Sequence, residues 1–380
     1  MFFYKYVPFI YNGFIASNNN DFILQNLIIP AGLSFYTFQS MSYTIDVYRG
    51  HYSPKDKWYE FLLFVSFFPH MVAGPIVRYK DLMPQIKALS FFKAIDWSAF
   101  ARLTIWGFFK KLVIADNLDK LVSPVFDNVP SYNGLELLIA GFGFVIQVYC
   151  DFSGYSDIAT GVAKLFNINL SLNWRRPLFS KSLIEFWTRN HISITTWFRD
   201  YLYIGLGGNR VAYKRWLLNI FLVFLISGLW HGSNITFAVW GILHAIFYIL
   251  ELMLKKRLPE FNVPNMIGWI YLILFHTISL IAFRAENIND LSHIYNTVFS
   301  FNVDWSQLIN LARLNDISFY IIIIFVTAIL FLKEGQEEFQ LVSNNNKSYT
   351  FLRDIFYLLI IVLIFTLGDF NANTFIYFQF

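Results

Sequence analysis

FWTRNHISITTWFRDYLYIGLGGNR at residues 186–210, followed by LISGLWHG at 225–232, sets two histidines, His191 and His231, in a chain that is otherwise mostly hydrocarbon. A titratable ring inside an apolar bundle is costly to place and usually marks a pathway or a reaction centre. Taken as one helix, 183–202 repeats Ile184, Trp187, His191, Ile194, Phe198 and Leu202 at spacings of three and four. Arg189, Ser193, Thr196 and Asp200 then fall on the other face. Such a helix is amphipathic and too polar to span a membrane, so it lies at the interface or dips into the bundle. His191 sits in its apolar stripe, where it reads either as a core histidine or as part of a site. His231 ends an apolar run before Gly232, a residue that lets a substrate or another backbone come close. A neutral imidazole there is suited to take the proton of an attacking hydroxyl. The competing reading is a packing histidine at a helix end.

The rest of the chain agrees with a membrane setting. Of 380 residues, 56% are hydrophobic and only 14% charged, where a soluble domain carries about 25% charged residues. Mean hydropathy is +0.48, and an all-α polytopic membrane protein is the class this implies. The net charge of +4 comes from Lys and Arg in connecting loops, so it speaks of topology and not of nucleic acid. The single cysteine, Cys150, excludes an internal disulfide or a cysteine metal cluster and reads as a small buried hydrophobe. MFFYKYVPFIYNG at the start has no pattern of a cleavable signal.

Eight or nine apolar segments follow one another at 22–45, 58–77, 97–121, 134–150, 216–230, 236–254, 266–283, 319–332 and 351–367. Pro69 and Gly74-Pro75 make the second a broken helix. There are no repeats and no soluble domain, so residues 1–380 read as one transmembrane domain. The basic loops 78–96, 167–215 and 255–257 are expected on the cytoplasmic side, and loop 123–133, which has no basic residue, outside. Continued to the end, the count puts 285–316 outside, 333–350 inside and the C-terminus outside. One conflict stands: loop 48–57 (YRGHYSPKDK) is basic yet external if 58–77 spans, so either that segment is re-entrant or the charge rule fails there.

Among other candidates, His244 and His276 lie within apolar spans and read as packing histidines, and His70 beside its proline reads either way. Asp46, Asp116, Asp151 and Asp157 are expected to pair with Lys110, Lys111, Arg175 or Arg176. No HExxH or CxxC spacing is present, so no metal site is assigned. GLGGNR (205–210) reads equally as a surface turn or as a phosphate contact helped by Arg210. A broad basic surface beneath an apolar core suits an anionic, phosphate-bearing donor, whether a coenzyme A ester, a nucleotide sugar or a lipid phosphate.

The 186–232 stretch resembles the membrane-bound O-acyltransferase superfamily, in its branch of bacterial alginate O-acetyltransferase membrane subunits. The similarity extends through IPAGLSFYTFQSMSYTIDVYRG (29–50), FFPHMVAGPIVRY (67–79), GFFKKLVIADNL (107–118), VYCDFSGYSDIATG (148–161) and FIYFQF (375–380). It implies a helical bundle with re-entrant or interfacial helices around a central tunnel in the bacterial cytoplasmic membrane. It also implies transfer of an acetyl group from cytoplasmic acetyl-CoA to an extracytoplasmic polysaccharide, alginate or another surface glycan, with an SGNH-like partner outside. His231 matches the family's invariant histidine and His191 its second motif histidine. Tyr377, in the terminal aromatic motif, would carry the acyl group outward, and an interfacial aromatic anchor is the other reading of that motif. Arg175, Arg176 and Arg210 are the candidate donor-binding cations. Asn190, Gly205 and Ile235 depart from the family's usual residues without removing a proposed catalytic group. The family begins with apolar segments before the point matching Met1, so a chain lacking its first one or two helices is expected. Two other classes remain open on the residues alone: a transporter of a lipid-linked sugar or solute, and a non-catalytic scaffold of an envelope complex.

Overall fold

The computed structural model describes residues 7, 32–52, 57–72, 74–89, 94–259, 263–300, 315–340, 347–371 and 375. Among them the structure is helical. The helices are α1 (Leu33–Tyr48), α2 (Trp58–Ser66), α3 (Tyr79–Lys87), α4 (Trp97–Phe108), α5 (Asp116–Asp127), α6 (Gly134–Lys164), α7 (Leu183–Arg189), α8 (Ile192–Trp197), α9 (Tyr213–His231), α10 (Ile235–Arg257), α11 (Asn265–Arg284), α12 (Ile288–Phe299), α13 (Ile317–Glu338) and α14 (Lys347–Leu367). Six of them, α6, α9, α10, α11, α13 and most of α14, are long and apolar enough to cross a membrane. The chain is therefore a multi-pass, all-α membrane protein.

α6 is the central pillar. In its most apolar stretch 72% of the residues are buried, against 11% for α14. Its 31 residues run about 46 Å, longer than the ~30 Å hydrocarbon core, so its last turns emerge on the basic side. Asn133 starts it with a capping box: its side chain accepts from the Leu135 and Glu136 amides, and the Glu136 carboxylate accepts from the Asn133 amide. The peripheral helices instead turn large apolar side chains outward, among them Ile321, Ile324 and Phe325 of α13 and Phe351, Leu358 and Phe365 of α14. That is the surface lipid would cover.

α4 and α5 form one unbroken rod through a π-helical stretch, Phe109–Ala115. The wider turn frees the Leu112 carbonyl, which accepts from the Asp369 amide at 3.0 Å, and Asn117 Nδ2 donates to the Leu367 carbonyl at 2.8 Å. The end of α14 is thus tied to the middle of the rod. Phe375 then packs on Phe152 and Tyr155 of α6, with ring centroids 4.7 and 5.8 Å apart. The crossing count carried the C-terminus to the outer surface. The last described residue, Phe375, is buried; residues 376–380, on which the expected outer C-terminus turns, lie outside the described residues.

Of the two readings of 58–77, the geometry supports re-entrance. α2 has nine residues and ends in a short turn, Phe68–His70, far short of the ~20 residues a crossing needs. Arg49 before it and Arg78 after it both reach Asp200, at 3.2 and 3.5 Å. Arg49 and Arg78, on either side of the segment, therefore meet the same 198–203 stretch, as a re-entrant segment requires.

The expected charge pairing is largely present. Lys110 bonds Asp157 at 2.6 Å and Ser153 at 2.9 Å, and Lys111 bonds Asp116 and Asp151 at 2.8 and 2.7 Å. Asp46 departs from it, bonding the Tyr201 hydroxyl at 2.8 Å and facing His51 at 3.4 Å.

Candidate functional site

The 183–202 segment is not one helix. α7 ends at Arg189, His191 takes the left-handed conformation (φ 43°, ψ 54°), and α8 begins at Ile192. The periodicity misled because spacings of four continue across the break, from Trp187 to His191. Ser193, assigned to the polar face, is buried at 6% exposure. A non-glycine residue at positive φ costs about 1–3 kcal/mol and persists only when its surroundings hold it.

Asn173 holds it here. Its carbonyl accepts from the Ile192 amide at 2.8 Å and its Oδ1 from the Ser193 amide at 3.1 Å, doing for α8 what an N-cap side chain would do. The same Oδ1 lies 3.2 Å from His191 Nδ1. Because Oδ1 accepts the Ser193 amide, it is an acceptor toward His191 too, and Nδ1 carries the proton. His191 Nε2 is then the atom at which the ring gains or loses one. Nε2 is buried with no hydrogen-bond partner among the described residues. Asn173 Nδ2 and Trp174 Nε1 both donate to Ser156 Oγ, at 3.2 and 3.0 Å, so the clamp is anchored on α6. Trp174, Phe152 and Phe35 surround the ring at centroid distances of 5.4, 5.8 and 6.4 Å.

His231 is the last residue of α9 and half-buried, with Trp230, Phe283 and Trp240 at 4.5, 4.9 and 5.3 Å. The space beside Gly232 is filled by the Phe237 ring and is not open to a substrate.

One cavity of about 640 Å³ is lined by both His191 and His231. That size fits a small-molecule site, usually about 300–1,000 Å³, apolar with a few convergent polar groups. On α9 it extends from Trp216 to His231, about 22 Å at the helical rise. Its basic-side rim includes Arg199, Tyr203 and Leu252. Nearby, burial and then the hydrogen bond to Asp46 push the Tyr201 phenol up, away from ionisation.

The three candidate donor cations do not line this cavity. Arg176 is tied to Glu338 at 2.9 Å and Glu337 at 3.3 Å, and Arg189 joins the same network through Glu338 at 2.6 Å. Arg175 and Arg210 are exposed. The glycine stretch is a tight turn with Gly207 and Gly208 at positive φ, its Leu206 and Gly208 carbonyls both 3.1 Å from Asn219 Nδ2. Tyr377 lies outside the described residues. Asn173, Trp187, Trp240, His244 and His276 were missed as site groups. An indole counts as hydrophobic in composition, and Asn173 carries no motif of its own.

The sequence profile described as MBOAT, membrane-bound O-acyltransferase family, matches residues 56–289. The chain is 39% identical over 295 residues to the probable alginate O-acetylase AlgI of Pseudomonas aeruginosa, covering 77% of this chain and 56% of that protein. It is 33% identical over 318 residues to the peptidoglycan O-acetyltransferase of Helicobacter pylori, covering 75% and 60%. With the teichoic acid D-alanyltransferase of Bacillus subtilis it shares 28% over 232 residues, 58% of each. The chain spans little more than half the length of these relatives.

Proposed function

The chain belongs to the membrane-bound O-acyltransferase family, and on that premise we propose that it is an O-acetyltransferase passing an acetyl group from cytoplasmic acetyl-CoA to an extracytoplasmic polysaccharide. The observation that carries this reading is the single apolar cavity that holds both His191 and His231 and reaches the basic face. Acetyl-CoA approaches from that face, its phosphates met by the exposed Arg175, Arg199 and Arg210, and its thioester reaches up the cavity. His231 takes the proton of an acceptor hydroxyl as the oxygen attacks the thioester carbonyl. The carbon–sulfur bond breaks, and the departing thiolate takes that proton to leave as the free thiol. With Nδ1–H engaged by Asn173, neutral His191 offers Nε2 as an acceptor. It orients the attacking hydroxyl, and would polarise a carbonyl only as an imidazolium.

The similarity to proteins named alginate O-acetylase and peptidoglycan O-acetyltransferase supports a surface polysaccharide as the final acceptor. An SGNH-like partner outside the bacterial cytoplasmic membrane would complete the transfer. The burial of Phe375 against Phe152, which also packs on His191, supports the terminal aromatic motif as the approach of the acceptor and Tyr377 as its hydroxyl. The test is sugar O-acetylation in cells carrying His231→Ala at wild-type protein level. Acetylation falls by at least about 100-fold if His231 is the general base, and unchanged acetylation ends the proposal.

A further inference from the structure

The cavity holds more hydrogen-bonding groups than acyl transfer at His231 and His191 requires. His244 is 1% exposed, His276 4% and Trp240 5%. Both ring nitrogens of His244, Nε2 of His276 and the indole nitrogens of Trp240 and Trp187 are buried with no hydrogen-bond partner among the described residues. The four side chains are contiguous. Trp240 and Trp187 lie 4.5 and 5.3 Å from His244 by ring centroid, and His276 lies 5.5 Å from it. All four line the cavity.

Their chemical roles are largely fixed. An indole N–H only donates. His276 Nδ1 donates to the Leu272 carbonyl at 2.8 Å, which leaves Nε2 of the neutral ring as an acceptor. His244 brings one donor and one acceptor. Buried groups of this kind are normally satisfied. An amide is their complement, since its carbonyl accepts the N–H groups and its own N–H donates to a histidine nitrogen. An alkyl chain would satisfy none of them, and a carboxylate has no proton for His276. Position agrees with this. On α10, His244 sits one turn inward of Trp240, with Tyr248 and Leu252 lining the cavity nearer the basic face. A donor entering from that face passes these four groups before it reaches His231.

We propose that Trp187, Trp240, His244 and His276 form an amide-binding subsite that grips the amide-bearing arm of the thioester donor and sets how far it reaches toward His231. This rests on the acyl-transfer reading above. The test uses the full chain in lipid nanodiscs, with acetyl-CoA turnover inhibited either by pantetheine or by an amide-free alkanethiol of similar length. Trp240→Phe and His276→Phe each keep an aromatic ring and remove hydrogen-bonding nitrogen. Each is expected to raise KM for acetyl-CoA and the inhibition constant of pantetheine about tenfold, the effect of one lost hydrogen bond. Inhibition by the alkanethiol should stay put, and kcat should fall as the thioester is held less well beside His231. Equal weakening of both inhibitors, or an unmoved KM, overturns the subsite. If a variant does not fold, the wild-type chain decides: pantetheine must raise Tm more than the alkanethiol does, and equal protection overturns the proposal. A wild-type chain that binds pantetheine selectively but never consumes acetyl-CoA would strike the acyl-transfer reading and leave the subsite standing.

Discussion

His191 is held in a backbone conformation few side chains adopt, and Asn173 is the residue that holds it there. Two main-chain amides and the imidazole Nδ1 converge on this one residue. Asn173→Ala is therefore expected to lower acetyl transfer by about 5- to 30-fold, from about 1–2 kcal/mol of lost orientation. Asn173→Asp keeps the acceptor oxygen and should retain more activity than the alanine variant. Transfer assays on membranes with matched protein levels would check this, and equal loss in both variants would show that the oxygen is not what matters. For Tyr377, labelled acetyl-CoA should leave label on the C-terminal peptide, and Tyr377→Phe should abolish it. Full activity of the phenylalanine variant would remove Tyr377 from the path. Both histidines were legible in the sequence because an imidazole in an apolar run stands out. Their second neighbours were not. Asn173 acts through a left-handed turn that spacing does not reveal, and Trp187 and Trp240 act through an N–H that composition scores as hydrophobic.

Two elements joined by buried charge decide the packing around α6. Lys110, with its side chain 3% exposed, bonds Asp157, 27% exposed, and Gly107 and Gly154 face each other where the α4 rod meets α6. A Cβ at Gly107 would come within 2.6 Å of the Gly154 carbonyl, and one at Gly154 within 2.8 Å of the Gly107 carbonyl, the close approach that small residues permit between membrane helices. Lys110→Met keeps the length of the side chain and strands a carboxylate. It should cost about 3 kcal/mol, the low end for a broken buried pair because Asp157 keeps some solvent contact, seen as a lower Tm in detergent. Replacing Asp157 by Leu in the same chain should restore part of that Tm. Lys120 and Asp369 are also paired, but the lysine side chain is 45% exposed. Lys120→Ala should cost about 1 kcal/mol of stability or less, leaving Tm almost unmoved. The pairing of acids at 151 and 157 with Lys110 and Lys111 could be anticipated, since buried charges must be paired. The π-helical stretch could not, because it preserves composition and shifts only the hydrogen-bond register.

At the scale of the whole molecule, contacts distant in sequence sort the loops into two sets. Arg49 and Arg78 both meet Asp200, and Arg176 and Arg189 meet Glu338. Arg284 meets Asp127 at 2.9 Å, Asn315 meets the Lys120 carbonyl, and Asn234 meets the Glu286 carbonyl. All of these contacts except that of Arg49, whose loop the crossing count left in conflict, join segments that the sequence reading had already put on one side, though that reading uses charge and the contacts use geometry. The contacts show which loops lie together, and the charge rule then predicts that the first set, rich in lysine and arginine, faces the cytoplasm. Cys150 is buried, so single cysteines at exposed positions can be read against a quiet background. Lys57→Cys and Arg210→Cys should react with an impermeant maleimide only after the membrane is opened. Asp127→Cys and Glu286→Cys should react in intact cells. The decisive position is Lys57, which a spanning 58–77 segment would place with Asp127. Labelling of Lys57→Cys from outside would restore that span and break the contact of Arg49 with Asp200. Labelling from inside alone makes α2 a re-entrant wedge and leaves the cavity mouth at Arg199 on the side where a cytoplasmic thioester arrives.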